Sequence, residues 1–285
     1  MFKNILIPIS SEFYQVNIFQ TGAFLAGKFN SAVKVVYIIE EKTLNQTEKR
    51  LNSYRTDFDK AETKKEIVRR HIHTADSIIF KDAERFFKNK NIPFNEEVIE
   101  GEFSTVIKSQ INKHKYDLIL MGFEKGCMLN YRLFDNVEIP IWVESGCGGD
   151  KILAICSNLA PNQKVPELSL RLSKEFGWDL HMVYIVDTQD SVEVNSKGIR
   201  SDKKTEQDLI VKGNKFAYEM GKKGIDVKIV RGSIEKETAK AAEDIGAGLV
   251  ILGREQKKKN MLGIPTKGLK RKMAETCEYS ILFVN

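Results

Sequence analysis

Short apolar runs alternate along the chain with longer stretches in which apolar residues recur at helical spacing. Ile5-Leu6-Ile7-Pro8-Ile9 and Ile152-Leu153-Ala154-Ile155-Cys156 are continuous and of strand length. Such runs predict strands buried on both faces, as in a parallel sheet.

The order of these runs is written twice. Lys3 to Ser10 matches Asp150 to Ser157, the two first strands. Val36-Tyr37-Ile38-Ile39-Glu40 matches Val183-Tyr184-Ile185-Val186-Asp187, each a β-branched run closed by an acid. Val98-Ile99-Glu100-Gly101 matches Ile229-Val230-Arg231-Gly232, and Leu118-Ile119-Leu120-Met121-Gly122 matches Leu249-Val250-Ile251-Leu252-Gly253. Ile139-Pro140-Ile141-Trp142-Val143 and Tyr279-Ser280-Ile281-Leu282-Phe283 close the copies as fifth strands. Internal repetition of this kind decides the architecture before any single motif does.

Between the runs, Val106, Ile107 and Ile111 share one face of a predicted helix over Ser104 to His114. Ala239, Ala242 and Ile245 do the same over Glu235 to Ile245. Alternating strand and helix predicts an α/β fold with a parallel sheet covered on both sides by right-handed crossovers. The first copy carries extra charged sequence over Thr43 to Lys90, which reads as long helix, and the second carries extra residues after Gly253. Ser145-Gly146-Cys147-Gly148-Gly149 is the densest glycine cluster and reads as the linker, placing the domains at 1–146 and 150–285.

A length of 285 residues suits two domains, and 42% apolar with 29% charged residues suits folded globular ones. No apolar run reaches membrane-spanning length and the N-terminus lacks a signal-peptide cleavage pattern, so a cytoplasmic protein with no membrane partner is expected. Cys127, Cys147, Cys156 and Cys277 form no CxxC pair and read as free thiols. The net charge of +6 comes with interspersed acids and no aromatic-basic interleaving, which argues against a nucleic-acid partner.

The hydrophobic first strand, the second strand ending Val-Tyr-Ile-x-acid, the (Glu/Arg)-Gly-x-(Phe/Ile) that opens a helix, and Leu-(Ile/Val)-(Leu/Ile)-(Met/Leu)-Gly together resemble the universal stress protein family, twice over as in its tandem members. The resemblance implies two doubly wound five-stranded parallel sheets of the adenine nucleotide alpha hydrolase-like kind, order 3-2-1-4-5, related by pseudo-twofold symmetry. It also implies that the last strands meet, making an intramolecular pseudo-dimer and leaving a further homodimer open.

Nucleotide-binding members of the family resemble one another in an aspartate ending the first strand and in a G-x2-G-x9-G-(S/T) loop after the fourth. Glycine-rich backbone before a helix start offers N–H groups to phosphates. In the first copy the aspartate position holds Ser10, and Gly122 and Gly126 are followed by no Gly-Ser pair. In the second copy the aspartate position holds Cys156, and the loop positions hold Gly253, Gln256, Thr266 and Lys267. Arg254, Lys257, Lys258, Lys259 and Lys267 could still give phosphate charge-assisted contacts, ahead of a helix expected over Leu269 to Thr276. The solvated-loop reading of the lysine run stands beside that one. The nucleotide set carried over by the resemblance is Ala154, Cys156, Gly232, Gly253, Arg254, Gln256, Thr266, Lys267 and Gly268, with ATP or another adenine nucleotide as the ligand.

No other chemistry competes. His71 and His73 fall on different sides of a helix, His114 and His181 stand singly, and none has a paired carboxylate or nucleophile at useful spacing. The strand ends lack the acid cluster of a receiver domain and the Ser-Gly-Gly loop of a pyrophosphatase. Cys156 reads as a buried inert thiol rather than a redox sensor, and Trp142 and Trp178 as packing residues. Two functions remain open: a non-catalytic stress-response protein acting through unidentified protein partners, and an adenine-nucleotide switch in the second copy, with weak ATP hydrolysis and no metal site.

Overall fold

The structure, a computed structural model, describes residues 1–10, 14–40, 57–122, 137–146, 148–160, 164–195, 199–253 and 279–284. The chain divides into two compact units, Met1–Glu144 and Ser145–Asn285.

In the N-terminal unit, β1 (Asn4–Ile9), α1 (Asn17–Phe29) and β2 (Ala32–Ile39) are followed by α2 (Asp57–Thr74) and a π-helical turn (Ala75–Ile79). Then come α3 (Phe80–Phe87), β3 (Phe94–Glu100), α4 (Phe103–Lys113), β4 (Leu118–Gly122) and β5 (Ile141–Glu144). The strands lie in the order β3-β2-β1-β4-β5, with every pairing parallel. Every residue of β4 is buried, whereas β3 at the end of the order exposes Asn95, Glu96 and Glu97. Charge on an outermost strand discourages pairing with other chains; here Lys34 of β2 reaches Glu97 at 3.0 Å.

The charged insertion is helical from residue 57 to 90, though in pieces: the π turn separates α2 from α3, and a 3-10 turn (Lys88–Lys90) ends on Asn91 in the left-handed region. The part before residue 57 lies outside the described residues. Phe87 anchors the insertion, with no exposed surface and its ring 5.9 Å from Phe19 and 5.4 Å from Phe94. Gly22 of α1 makes room for it. A Cβ there would stand 2.9 Å from Ile7 Cδ1 and 3.3 Å from Phe87.

The C-terminal unit holds β6 (Lys151–Ser157), α5 (Lys164–Phe176), β7 (Asp179–Asp187), α6 (Glu206–Gly221), β8 (Val227–Gly232), α7 (Ile234–Ile245), β9 (Leu249–Gly253) and β10 (Ser280–Val284). Its order is β8-β7-β6-β9-β10, again all parallel. The helix expected over Leu269 to Thr276 lies outside the described residues. Gly149, expected only as linker, packs against Gly248: a Cβ on Gly149 would sit 2.8 Å from Gly248 Cα. That closeness lets the Gly248 N–H reach the Lys151 carbonyl at 3.0 Å and set β9 beside β6. Among the described residues, no helix is long and apolar enough to cross a membrane.

Candidate functional site

Parallel strands bring their carboxyl ends, and the N-termini of the following helices, to one edge, where α/β folds hold ligands. In the C-terminal unit this edge is built from the ends of β6, β7, β8 and β9. Cys156 is level with Tyr184, and Ile155 with Leu252, so Cys156 and Gly253 stand at the same height. Asp187 is level with Gly232. Ala154 lies two residues deeper, inside the sheet and fully buried.

The register corrects one expectation. Ile9 is level with Tyr37 as Cys156 is with Tyr184, so the counterpart of Ser10 is Ser157 rather than Cys156. Both serines are buried, and Ser157 Oγ accepts the Leu159 N–H at 3.1 Å. Arg254, Gln256, Thr266, Lys267 and Gly268, with the Lys257–Lys259 run, lie outside the described residues.

Two residues that sequence reasoning did not single out organise this edge. Asp187 is buried at the end of β7; its Oδ1 accepts the Gln189 and Asp190 N–H groups, each at 2.9 Å, and its Oδ2 accepts the Ile234 N–H at 2.9 Å. Ile234 opens α7, whose N-cap residue Ser233 makes no side-chain cap. A helix start carries orphan N–H groups and a partial positive charge. Here the chain's own carboxylate fills that place. The acid was visible in the sequence as the repeated Glu40 and Asp187, but the N–H it serves is 47 residues away.

Asn158, buried immediately after β6, accepts the Asp187 N–H through Oδ1 at 2.7 Å. Its Nδ2 donates to the carbonyls of Asp187 at 3.3 Å and Val192 at 2.7 Å. Its own carbonyl accepts the Val194 N–H at 2.8 Å, and Val192 and Val194 are buried. The segment after β7 is thereby drawn over the end of β6. Cys156 near the end of β6 is 1% exposed, and burial pushes its thiol well above the ordinary range. A thiol held protonated is a poor nucleophile. At the end of β8, Gly232 has φ of 148°, a conformation that favours glycine, and a Cβ would meet Glu237 Oε1 at 2.7 Å.

The N-terminal unit is arranged differently at the same edge. Ser10 ends β1 and Gly122 ends β4, with Gln15 backed against Gly122. Glu102 caps α4 locally, accepting the Thr105 N–H at 2.7 Å and its hydroxyl at 2.6 Å. Burial pushes the Glu102 carboxyl up, but the bonds from Thr105 and Ser104 outweigh it and leave the group below its usual value. Tyr37 Oη lies 3.0 Å from His71 Nδ1, joining β2 to α2, and Tyr14 donates to Asp82 of α3 at 2.6 Å. Burial raises the Tyr37 pKa, helped by Glu40, and burial lowers that of His71. The hydroxyl is therefore un-ionised and the imidazole neutral, and the direction of the bond between them follows the imidazole tautomer.

A cavity of about 450 Å³ lies at the opposite, amino end of the C-terminal unit's strands. Leu153, His181 and Met182 line it with the last turns of α5 and α7. It shares no residue with the edge just described. Among the described residues, no group of three or more His, Cys, Asp and Glu side chains could hold a metal ion.

Residues 1–137 match the family model Usp, Universal stress protein family, so the chain contains one domain of that family. No curated protein matches the chain. Among solved structures, a protein of Pseudomonas aeruginosa UCBPP-PA14 assigned to the universal stress proteins is similar at 11% identity and TM-score 0.67, over 99% of this chain and 93% of the other. A universal stress protein from Archaeoglobus fulgidus DSM 4304 is similar at 10% identity and TM-score 0.61, over 98% of each chain. A functionally unknown protein, PA1789, from Pseudomonas aeruginosa PAO1 is similar at 12% identity and TM-score 0.65, over 99% and 92%. At such identities the likeness is one of fold.

Proposed function

We propose that the chain is a universal stress-type protein made of two such domains, and that it serves in the cytoplasm as a non-catalytic scaffold for protein partners. Support for the second domain comes from the repeated strand order and the repeated segments. The scaffold reading is carried by one observation: in the C-terminal unit the carboxylate of Asp187 fills the start of α7 while Asn158 and the segment after β7 cover the end of β6. A crevice supplied from within the chain has no free helix start to offer a phosphate there.

Melting curves with ATP, ADP and AMP test this reading. A ligand at 100 times its dissociation constant stabilises the folded state by about 2.7 kcal/mol, so binding would raise the melting temperature visibly. The expected result is no rise with any of the three. A rise would favour the adenine-nucleotide switch instead, acting through Gly253 and the residues that follow it, and a slow release of phosphate from ATP would extend that to weak hydrolysis.

A further inference from the structure

The second and third strands of the two units share one register, Val36 lying level with Glu97 as Val183 does with Lys228. Lys34 and His181 each stand two residues before those valines. On the covering helices, Gln110 of α4 and Ala241 of α7 each follow by three residues the matched pair Ile107 and Thr238. Tyr116 and Ala247 also match, because the N–H groups just after them, of Asp117 and Gly248, donate to the carbonyls of Asn4 and Lys151 at 2.9 and 3.0 Å.

At these positions the N-terminal unit builds a filled polar cluster. The Glu97 carboxylate holds the Lys34 ammonium at 3.0 Å, and Nε2 of Gln110, a residue only 3% exposed, stands 3.5 Å from the same oxygen. Burial raises the Tyr116 pKa and the nearby Glu97 charge adds to it. A carboxylate beside a phenol ring is thus supplied from within the chain.

The C-terminal unit supplies neither. Glu97, Gln110 and Tyr116 are replaced by Lys228, Ala241 and Ala247, and Lys34 by His181. Two long side chains cut back to methyl groups leave room, and Ala241, His181 and Lys228 line the cavity of about 450 Å³ at the amino end of the strands. That volume suits a small organic ligand. Leu153, level with His181, and Val183, level with Lys228, give the same face of the sheet an apolar floor, and Ile245 of α7 adds to it. Among the described residues neither His181 nor Lys228 pairs with an acid, although Asp226 and Asp244 also line the cavity, as does Lys174. In the last turns of α5 and α7, the Ser173 carbonyl accepts the Gly177 and Trp178 N–H groups and the Ala242 carbonyl that of Ala247, so these acceptors are engaged within the chain.

We propose that this cavity is a binding site for a small aromatic carboxylate, its carboxylate held by the Lys228 ammonium and the His181 ring N–H and its ring lying over Leu153 and Val183. The ligand brings to the C-terminal unit what Glu97 and Tyr116 provide in the other. The cavity shares no residue with the carboxyl edge, so the proposal goes beyond the scaffold reading and is judged apart from it.

Saturation-transfer NMR on the full-length protein tests this with 4-hydroxybenzoate as the probe. Signal transfer is expected, and 4-hydroxybenzamide and acetate should each bind at least about tenfold more weakly, the first lacking the charge and the second the ring. Lys228→Glu restores the acid of the N-terminal unit and should weaken binding of 4-hydroxybenzoate by more than about tenfold. Ala241→Gln, which refills the space, should weaken it in the same direction. Arg231→Glu makes the same charge change on the same strand outside the cavity, where Arg231 pairs with Glu206, and should leave binding unchanged. Lys228 is exposed, and if Lys228→Glu does not fold, Lys228→Ala takes its place with the same expectation. No transfer from 4-hydroxybenzoate, unchanged binding in Ala241→Gln, or equal losses in the Lys228 and Arg231 variants overturns the site. Equal binding of the amide overturns the carboxylate contact, and equal binding of acetate overturns the ring. A rise in melting temperature with a nucleotide would sink the scaffold reading and leave this result as it stands.

Discussion

The two units meet the same requirement, an acceptor for the first N–H groups of the helix after the third strand, by different means. In the N-terminal unit Glu102 serves its own helix three residues on, at Thr105. In the C-terminal unit Ser233 stands at that position without capping, and Asp187 reaches the helix from 47 residues away. A local cap stabilises a helix; a distant one also fixes the helix to the strand that carries it. The same contrast holds one layer out. The N-terminal unit covers β2 with an inserted helix held by the Tyr37–His71 and Tyr14–Asp82 hydrogen bonds. The C-terminal unit covers β7 with α6, where a Cβ on Gly213 would stand 3.0 Å from the Tyr184 ring and the Phe216 ring lies tilted 5.2 Å from it. Similar sheets therefore accept either polar latches or close ring packing above the same strand.

Because Trp142 and Trp178 fall in different units, single-tryptophan variants let denaturation be followed in each. The largest expected effect separates the two caps. Asp187→Ala strands three N–H groups and should cost about 3 kcal/mol at the Trp178 transition, whereas Glu102→Ala should cost about 1 kcal/mol at the Trp142 transition. Equal costs would erase the distinction between a distant and a local cap. Next, Tyr37→Phe removes the bond to His71 and should cost about 1 kcal/mol. Tyr184→Phe, whose hydroxyl bonds to no described residue, should stay within about 0.5 kcal/mol of wild type.

Smaller again is the effect of pH on the latch. Burial depresses the His71 pKa in the folded state, and its ring faces Tyr37 with Glu40 close to that hydroxyl. The unfolded chain therefore takes up the proton first, and stability must fall as pH drops through about 6.5 toward the folded value. Comparing Trp142 transitions at pH 7.5 and 5.5, wild type should lose more than His71→Gln; identical losses would mean that the imidazole is not held neutral. The smallest change compares Thr238 of α7 with Ile107 at the matching place in α4, both buried. Among the described residues the Thr238 hydroxyl has no hydrogen-bond partner, so Thr238→Val should be neutral or stabilising by up to about 0.5 kcal/mol. A clear loss of stability would show that the hydroxyl does find an acceptor.

Much of the fold could be read from the residues. Continuous apolar runs marked seven of the ten strands to within about two residues, whereas β2, β3 and β7 begin four residues before the runs that marked them, and helical spacing marked α4 and α7 to within one. Periodicity is a local property, and burial on two faces leaves little choice of residue type. The candidate edge was only partly legible. Gly232 and Gly253 stood out as glycines closing strands, but taking Cys156 as the counterpart of Ser10 missed by one position, although the match of Lys3 to Ser10 with Asp150 to Ser157 already set Ser10 against Ser157, as the register does. The glycines at 148 and 149 read as linker because nothing nearby in sequence reveals that Gly248 packs on Gly149.

By itself the sequence determined an α/β chain of repeated strand-helix units, for apolar periodicity is enough to choose between buried strand and amphipathic helix. Tertiary structure alone decided what Asn158 and Asp187 do. Short polar side chains can bond to any backbone group they reach, and beside the near bonds of Asp187 to Gln189 and Asp190 two of the partners here lie 29 and 47 residues away, brought within 3 Å only by the folding of the sheet.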